Sequence, residues 1–170
     1  MGLETIRYNK YYAWVARQLQ TEIKQTKPFS SLEEEAFLAL QLTADRLSGR
    51  GAEFLKQHGL SPAQYNTLRI LRGAGPQGLT CSEVGERMIN RDPDITRMLD
   101  RLERRGLVQR SRHAKDRRVV LTHITPEGLE LVSRLDRPMT QFHRKLLGNV
   151  GESRLKSLLR LLDGVRDATG

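Results

Sequence analysis

The chain carries a single cysteine, Cys81, so no intrachain disulfide framework can brace it, and a reducing compartment, the cytoplasm, is its expected setting. Long hydrophobic runs are missing as well. The longest strongly apolar uncharged stretch, Ala36 to Ala44, is about half of the roughly 18 residues that a membrane span requires, which argues against an integral membrane protein. The start, Met1-Gly2-Leu3-Glu4, shows no basic segment followed by an apolar core, so no secretory signal is expected. Catalytic signatures are equally scarce. There is no G-x-S-x-G elbow, P-loop or kinase motif, and the acidic run Glu33 to Glu35 reads as a helix start rather than an acid/base pair. Gly73-Ala74-Gly75-Pro76-Gln77-Gly78 fits G-x-G-x-x-G, but a helix precedes it and Pro76 interrupts it, so it reads as a loop. His58, His113, His123 and His143 fall in different elements with no metal-ligand spacing, so neither a metal nor a cofactor is expected and the chain is not read as an enzyme.

What is abundant is positive charge. Twenty-nine Lys and Arg against twenty Asp and Glu give a net +9 in 170 residues, which points to a polyanionic partner. The excess is concentrated: from Arg87 to Arg118 there are eleven basic side chains and five acidic ones, so this segment holds six of the nine charges.

Periodicity orders the chain. Tyr8, Tyr12, Val15, Leu19 and Ile23 recur at helical spacing and predict an amphipathic helix that ends before Pro28. Leu40, Leu47 and Phe54 mark a second helix, whose far half Gly49 and Gly51 should weaken. Ser61-Pro62-Ala63-Gln64 and Thr80-Cys81-Ser82-Glu83 read as capping boxes, and Asp92-Pro93 as the cap of a third short helix ended by Gly106. Leu107 to Arg110 and Arg118 to Ile124 predict a β-hairpin around a polar tip, Ser111 to Arg117. Thr125-Pro126 then caps a long helix that Pro138 should kink, and Leu155, Leu158, Leu159, Leu162 and Val165 supply a last helix. The apolar stripes at the two ends exceed what a small central lobe can bury, so each end is expected to pack on a second copy.

Three short capped helices followed by a basic hairpin form the plan of a winged helix-turn-helix, in which the third helix enters the major groove and the hairpin reaches an adjacent minor groove. The segments Leu79-Thr80-Cys81-Ser82-Glu83-Val84, Asp94 to Val108 (DITRMLDRLERRGLV), Asp116-Arg117-Arg118 and Ile124-Thr125-Pro126-Glu127-Gly128 resemble the MarR family of bacterial transcription regulators, and the resemblance extends over about Glu33 to Ala168. The expected fold is therefore mainly α with a small β-hairpin wing: a winged helix-turn-helix over residues 58–125, dimerisation helices over 31–57 and 126–170, and an N-terminal extension helix over 1–30. The resemblance implies a homodimer, double-stranded DNA carrying a pseudo-palindromic operator, and a small effector that releases repression.

With Ile95, Met98, Leu99 and Leu102 facing inward, Asp94, Thr96, Arg97 and Arg101 are left outward on the third helix. Arg97 is the candidate for bidentate reading of a guanine and Thr96 for a phosphate or a thymine methyl; Asp94 either accepts from a cytosine or caps the helix. In the wing, Asp116 and Arg118 match the D-x-R motif of the family, which implies that the arginine approaches the minor groove and the aspartate shapes the wing, with Arg117 facing phosphate or solvent. The extra helix with Trp14 is similar to the urate-responsive branch, where Trp14 and Arg110 correspond, but Asn66 and Met98 stand where an acid and an arginine are expected, which argues against urate. No cysteine lies between Ser31 and Ala44, which argues against peroxide sensing of the family type. Trp14, Leu47, Phe54, Tyr65 and Arg69 are candidates for a small aromatic or anionic effector by location, with ordinary core packing as the competing reading. Two alternatives stay open: a winged-helix interaction module with only non-specific DNA affinity, and a thiol switch at Cys81, which otherwise reads as a buried core filler.

Overall fold

Helix ends are set by local chemistry throughout the computed structural model, which describes residues 18–90 and 94–169. The chain divides into two units, Met1–Ser61 and Pro62–Gly170. The first half of the expected extension helix, Trp14 included, lies outside the described residues; residues 18–22 are its helical end.

In the first unit, helix α1 (Leu32–Lys56) begins at Ser31, whose hydroxyl accepts from the Glu34 backbone N–H at 3.2 Å. Glu34 returns the favour to Ser30: the Ser30 hydroxyl and N–H both donate to its carboxylate at 2.6 Å, and these bonds hold the Glu34 carboxyl below its ordinary range. The helix continues through Gly49 and Gly51 without a break. A propensity cost of about 1 kcal/mol per glycine is evidently offset over a helix this long. Arg46 pairs with Glu22 at 2.9 Å. Leu32, Phe37, Leu40 and Leu47 remain exposed.

The second unit holds the core. Helices α2 (Pro62–Ala74), α3 (Cys81–Arg87) and α4 (Ile95–Arg104) are followed by strands β1 (Val108–Arg112) and β2 (Val120–Ile124), then α5 (Pro126–Leu147) and α6 (Glu152–Asp167). Helix α2 starts at Pro62 as expected and passes Gly73 into a short 3₁₀ turn, Gly75–Gln77. The capping box of α3 is complete: Thr80 Oγ1 accepts from the Glu83 N–H at 3.2 Å, and Glu83 Oε2 accepts from the Thr80 N–H at 2.8 Å. Helix α4 ends where Gly106, at φ 70°, lets its N–H reach the Glu103 carbonyl and the Leu107 N–H reach that of Leu102.

The two strands pair antiparallel from Val108 opposite Ile124 to Arg112 opposite Val120, so β1 extends two residues beyond its expected end, β2 begins two residues later than expected, and the tip shifts to residues 113–119. Leu79 joins the hairpin through a bridge to Thr122, exchanging two backbone hydrogen bonds at 2.7 and 3.0 Å. Leu68 and Leu71 of α2, Val84, Leu99, Leu102, Val108, and Val132 and Leu135 of α5 are buried together with Thr67 and Thr122. Each buried aliphatic side chain is worth about 1.5–3 kcal/mol.

Thr125 caps α5 through the Gly128 N–H at 3.1 Å. The helix runs through Pro138, which lacks the N–H that the Arg134 carbonyl would otherwise accept. No residue of α6 is buried: Leu158, Leu159, Leu161 and Val165 are exposed. Among the described residues, no helix is long and apolar enough to cross a membrane.

Candidate nucleic-acid interface

Helix α4 presents two faces with different duties. Met98, Leu99 and Leu102 are buried, and Ile95 packs so closely on α3 that a Cβ on Gly85 would come within 2.7 Å of its Cδ1. Thr96, Arg97 and Arg101 remain exposed, in agreement with the helical spacing. The cap is Asp94, not Asp92, which lies outside the described residues together with Pro93. Asp94 Oδ1 accepts from the Arg97 N–H at 3.3 Å as the cap, while Oδ2 pairs with Arg97 Nη1 at 3.2 Å. The ion pair leaves Arg97 with 77% of its side chain exposed.

The wing tip is built from short-range hydrogen bonds. Asp116 Oδ1 accepts from the Arg118 N–H at 2.9 Å, and the Asp116 carbonyl accepts from the Val119 N–H at 3.0 Å. The His113 ring contributes as well, its Nδ1 accepting from the Lys115 and Asp116 N–H groups, each at 3.3 Å. The aspartate of the D-x-R motif thus spends an oxygen on its own turn, and the Arg117 and Arg118 side chains stay exposed. Among the described residues, no carboxylate lies within ion-pair distance of Arg101, Arg112, Lys115, Arg117 or Arg118. These cations therefore keep their charge available to a polyanion.

Two sequence readings change in the structure. Cys81 is exposed rather than a core filler: it is the first residue of α3, and its Sγ lies 3.7 Å from Thr96 Oγ1. Arg110 is already committed within the chain, its Nη1 2.6 Å from Asp100 Oδ1 and 3.3 Å from Glu103 Oε2. The basic strand and the two acids of α4 were visible in the sequence, but nothing in spacing alone joined them.

Of the effector candidates, Tyr65 and Arg69 come together on α2, the guanidinium 5.8 Å from the ring centroid. Burial pushes the Tyr65 phenol up, and Asp136, paired with Arg72 through two hydrogen bonds of 2.9 and 3.0 Å, adds to that shift. Leu47 and Phe54 belong to α1 in the other unit, Leu47 exposed and Phe54 half-buried with its ring 5.0 Å from that of His58. Trp14 lies outside the described residues. Among those residues no group of three His, Cys, Asp or Glu side chains could hold a metal ion.

Comparison with known proteins agrees with this architecture. The sequence profile of the MarR family matches residues 60–120. The crystal structure of a MarR transcription factor from Planctomyces limnophilus is 42% identical, with a TM-score of 0.62, and the match covers 79% of this chain and 98% of that one. Two curated relatives from Bacillus subtilis are 34% identical: the HTH-type transcriptional regulator YkoM over 47% of this chain, and the HTH-type transcriptional repressor MdtR over 60%. The chain spans 51% of YkoM and 64% of MdtR. The family and these relatives are transcription regulators rather than enzymes, and with the helix order, the hairpin and the identity to the Planctomyces protein in agreement, the chain belongs to the MarR family of winged helix-turn-helix transcription regulators.

Proposed function

We propose that the chain is a homodimeric, sequence-specific DNA-binding regulator, acting in the cytoplasm as a ligand-responsive repressor on a pseudo-palindromic operator. The observation that carries the reading is the division of α4: an apolar face locked into the core and an opposite face on which Thr96, Arg97 and Arg101 stand exposed at and beyond a capped N-terminus. Arg97 reads a guanine in the major groove, Thr96 a phosphate or a thymine methyl, and Arg101 phosphate; Arg118 enters the minor groove from a wing shaped by Asp116, with Arg117 on the backbone. Residues 58–125 form the DNA-binding lobe on this account. Residues 31–57 and 126–170 form the dimer interface, because the apolar side chains of α1 and α6 are left unburied.

An effector that releases the DNA has to bind differently to the competent and incompetent arrangements of the dimer. Tyr65 with Arg69 suits an aromatic or anionic molecule through the exposed Arg69 guanidinium, which lies over the buried Tyr65 ring. Leu47, Phe54 and Trp14 are the further candidates.

The test is anisotropy titration of the wild type and Arg97→Ala on a duplex selected by the wild type from a randomised pool, and on its shuffled counterpart. Loss confined to the selected duplex supports base reading; equal losses on both contradict it. One observation favours a second reading: Cys81 is exposed and touches Thr96, so a thiol adduct there would disturb the recognition helix. An oxidant response that persists in Cys81→Ser removes that idea.

A further inference from the structure

We propose that Arg110 is a positioning residue that locks the wing to the recognition helix, so that the two reading elements meet a duplex as one rigid unit; this rests on the DNA-binding reading above. Arg110 sits on β1 with 27% of its side chain exposed, beside α4. Its guanidinium has three partners on that helix: Nη1 pairs with Asp100 Oδ1 at 2.6 Å and Glu103 Oε2 at 3.3 Å, and Nη2 donates to the Thr96 carbonyl at 3.4 Å. Its backbone N–H donates to the other oxygen of Glu103 at 3.1 Å. Thr96, Asp100 and Glu103 follow one another at four and three residues, a single stripe along the helix, so one planar fork grips nearly two turns.

The arrangement fixes both position and register. Because Glu103 binds the side chain and the backbone of the same residue, β1 cannot slide along α4 without breaking both bonds. The base of the hairpin is otherwise tied by the backbone bonds between Leu79 and Thr122 and between Thr125 and the Leu107 carbonyl. The pairing also removes a cost. Asp100 and Glu103 are acids on a helix that meets a polyanion, and Arg110 neutralises them within the chain. With its donors already directed at three acceptors, Arg110 acts through Thr96 and through the wing rather than on the DNA itself. A lysine in its place keeps the charge but lacks the planar fork.

The experiment uses the duplex that the full-length wild type selects from a randomised pool, with its shuffled counterpart, and the variants Arg110→Lys, Arg110→Gln and Arg118→Ala alone and combined. Circular dichroism establishes folding, and Arg110→Lys decides the matter where Arg110→Gln does not fold. The expected result is that Arg110→Lys stays folded and binds the shuffled duplex as before, yet loses about tenfold on the selected one. In the double variant, Arg118→Ala then costs much less than it does alone, because a wing that is no longer held does not deliver Arg118. A merely structural role would not produce that coupling. Undiminished discrimination in the Arg110 variants, or losses that simply multiply with that of Arg118→Ala, overturns the proposal. If the wild type itself enriches no duplex, the DNA-binding reading falls first and this one with it.

Discussion

Asp94 shows how much one side chain can settle at the residue scale. By capping α4 and pairing with Arg97 it ends the turn and holds the chief candidate base reader in a defined place before any DNA arrives. Asp94→Ala is expected to cost about 1 kcal/mol in denaturant unfolding, the usual loss of a cap. Arg97→Ala should leave stability within about 0.5 kcal/mol, as for an exposed surface site, and weaken specific binding by about 1–3 kcal/mol. Thr67 is a different case. Its hydroxyl is fully buried, and its one proton is shared between the thioethers of Met88 and Met98, each 3.5 Å away. Since sulfur is a weak acceptor, Thr67→Val is expected to change the unfolding free energy by less than about 1 kcal/mol, with either sign. A loss of several kcal/mol would show that those contacts matter more than their chemistry suggests.

At the scale of elements, the start of α5 is docked against the end of α4. Thr125 Oγ1 donates to the Gly106 carbonyl at 2.7 Å, and a Cβ on Gly128 would overlap the Leu107 carbonyl oxygen. Gly128→Ala should therefore cost more than about 2 kcal/mol, measured by thermal or denaturant unfolding, because backbone rather than a flexible side chain is in the way. The Arg72–Asp136 pair between α2 and α5 gives a pH signature. Hydrogen bonds from Arg72 hold the Asp136 carboxyl below its ordinary value of 3.8. Its contribution is complete above that value and vanishes as the pH falls through the lowered one. With Asp136 more than half exposed, the pair is worth at most about 1 kcal/mol, so Asp136→Asn should be slightly less stable than wild type at neutral pH and equal to it in strong acid.

These elements also show what was legible in the sequence. Thr80 with Glu83, Gly106, and Thr125 with Gly128 could be read directly, because caps and terminators are made within four residues. Asp92 and Asp94 could not be separated that way, as both are good caps on either side of a proline. The exposure of Cys81 and the grip of Arg110 on α4 depend on which faces meet after folding. Local spacing carries no record of that.

At the scale of the whole molecule, the exposed leucines of α6 are the expected dimer surface. Leu159, 59% exposed, tolerates a charge in an isolated chain but not at a buried interface. Leu159→Glu should sediment as a monomer where the wild type sediments as a dimer, and should bind its selected duplex far more weakly. Charge acts at this scale too: Arg117→Ala should weaken binding to all duplexes alike and flatten the slope of log affinity against log salt by about one. Sequence-specific binding to DNA is tested most directly by anisotropy titration of the wild type on its selected duplex and on the shuffled one, at two salt concentrations. A preference of about a thousandfold or more, maintained as salt rises, is the predicted result. Equal binding to both duplexes that collapses with salt would contradict the account and leave only an electrostatic footprint.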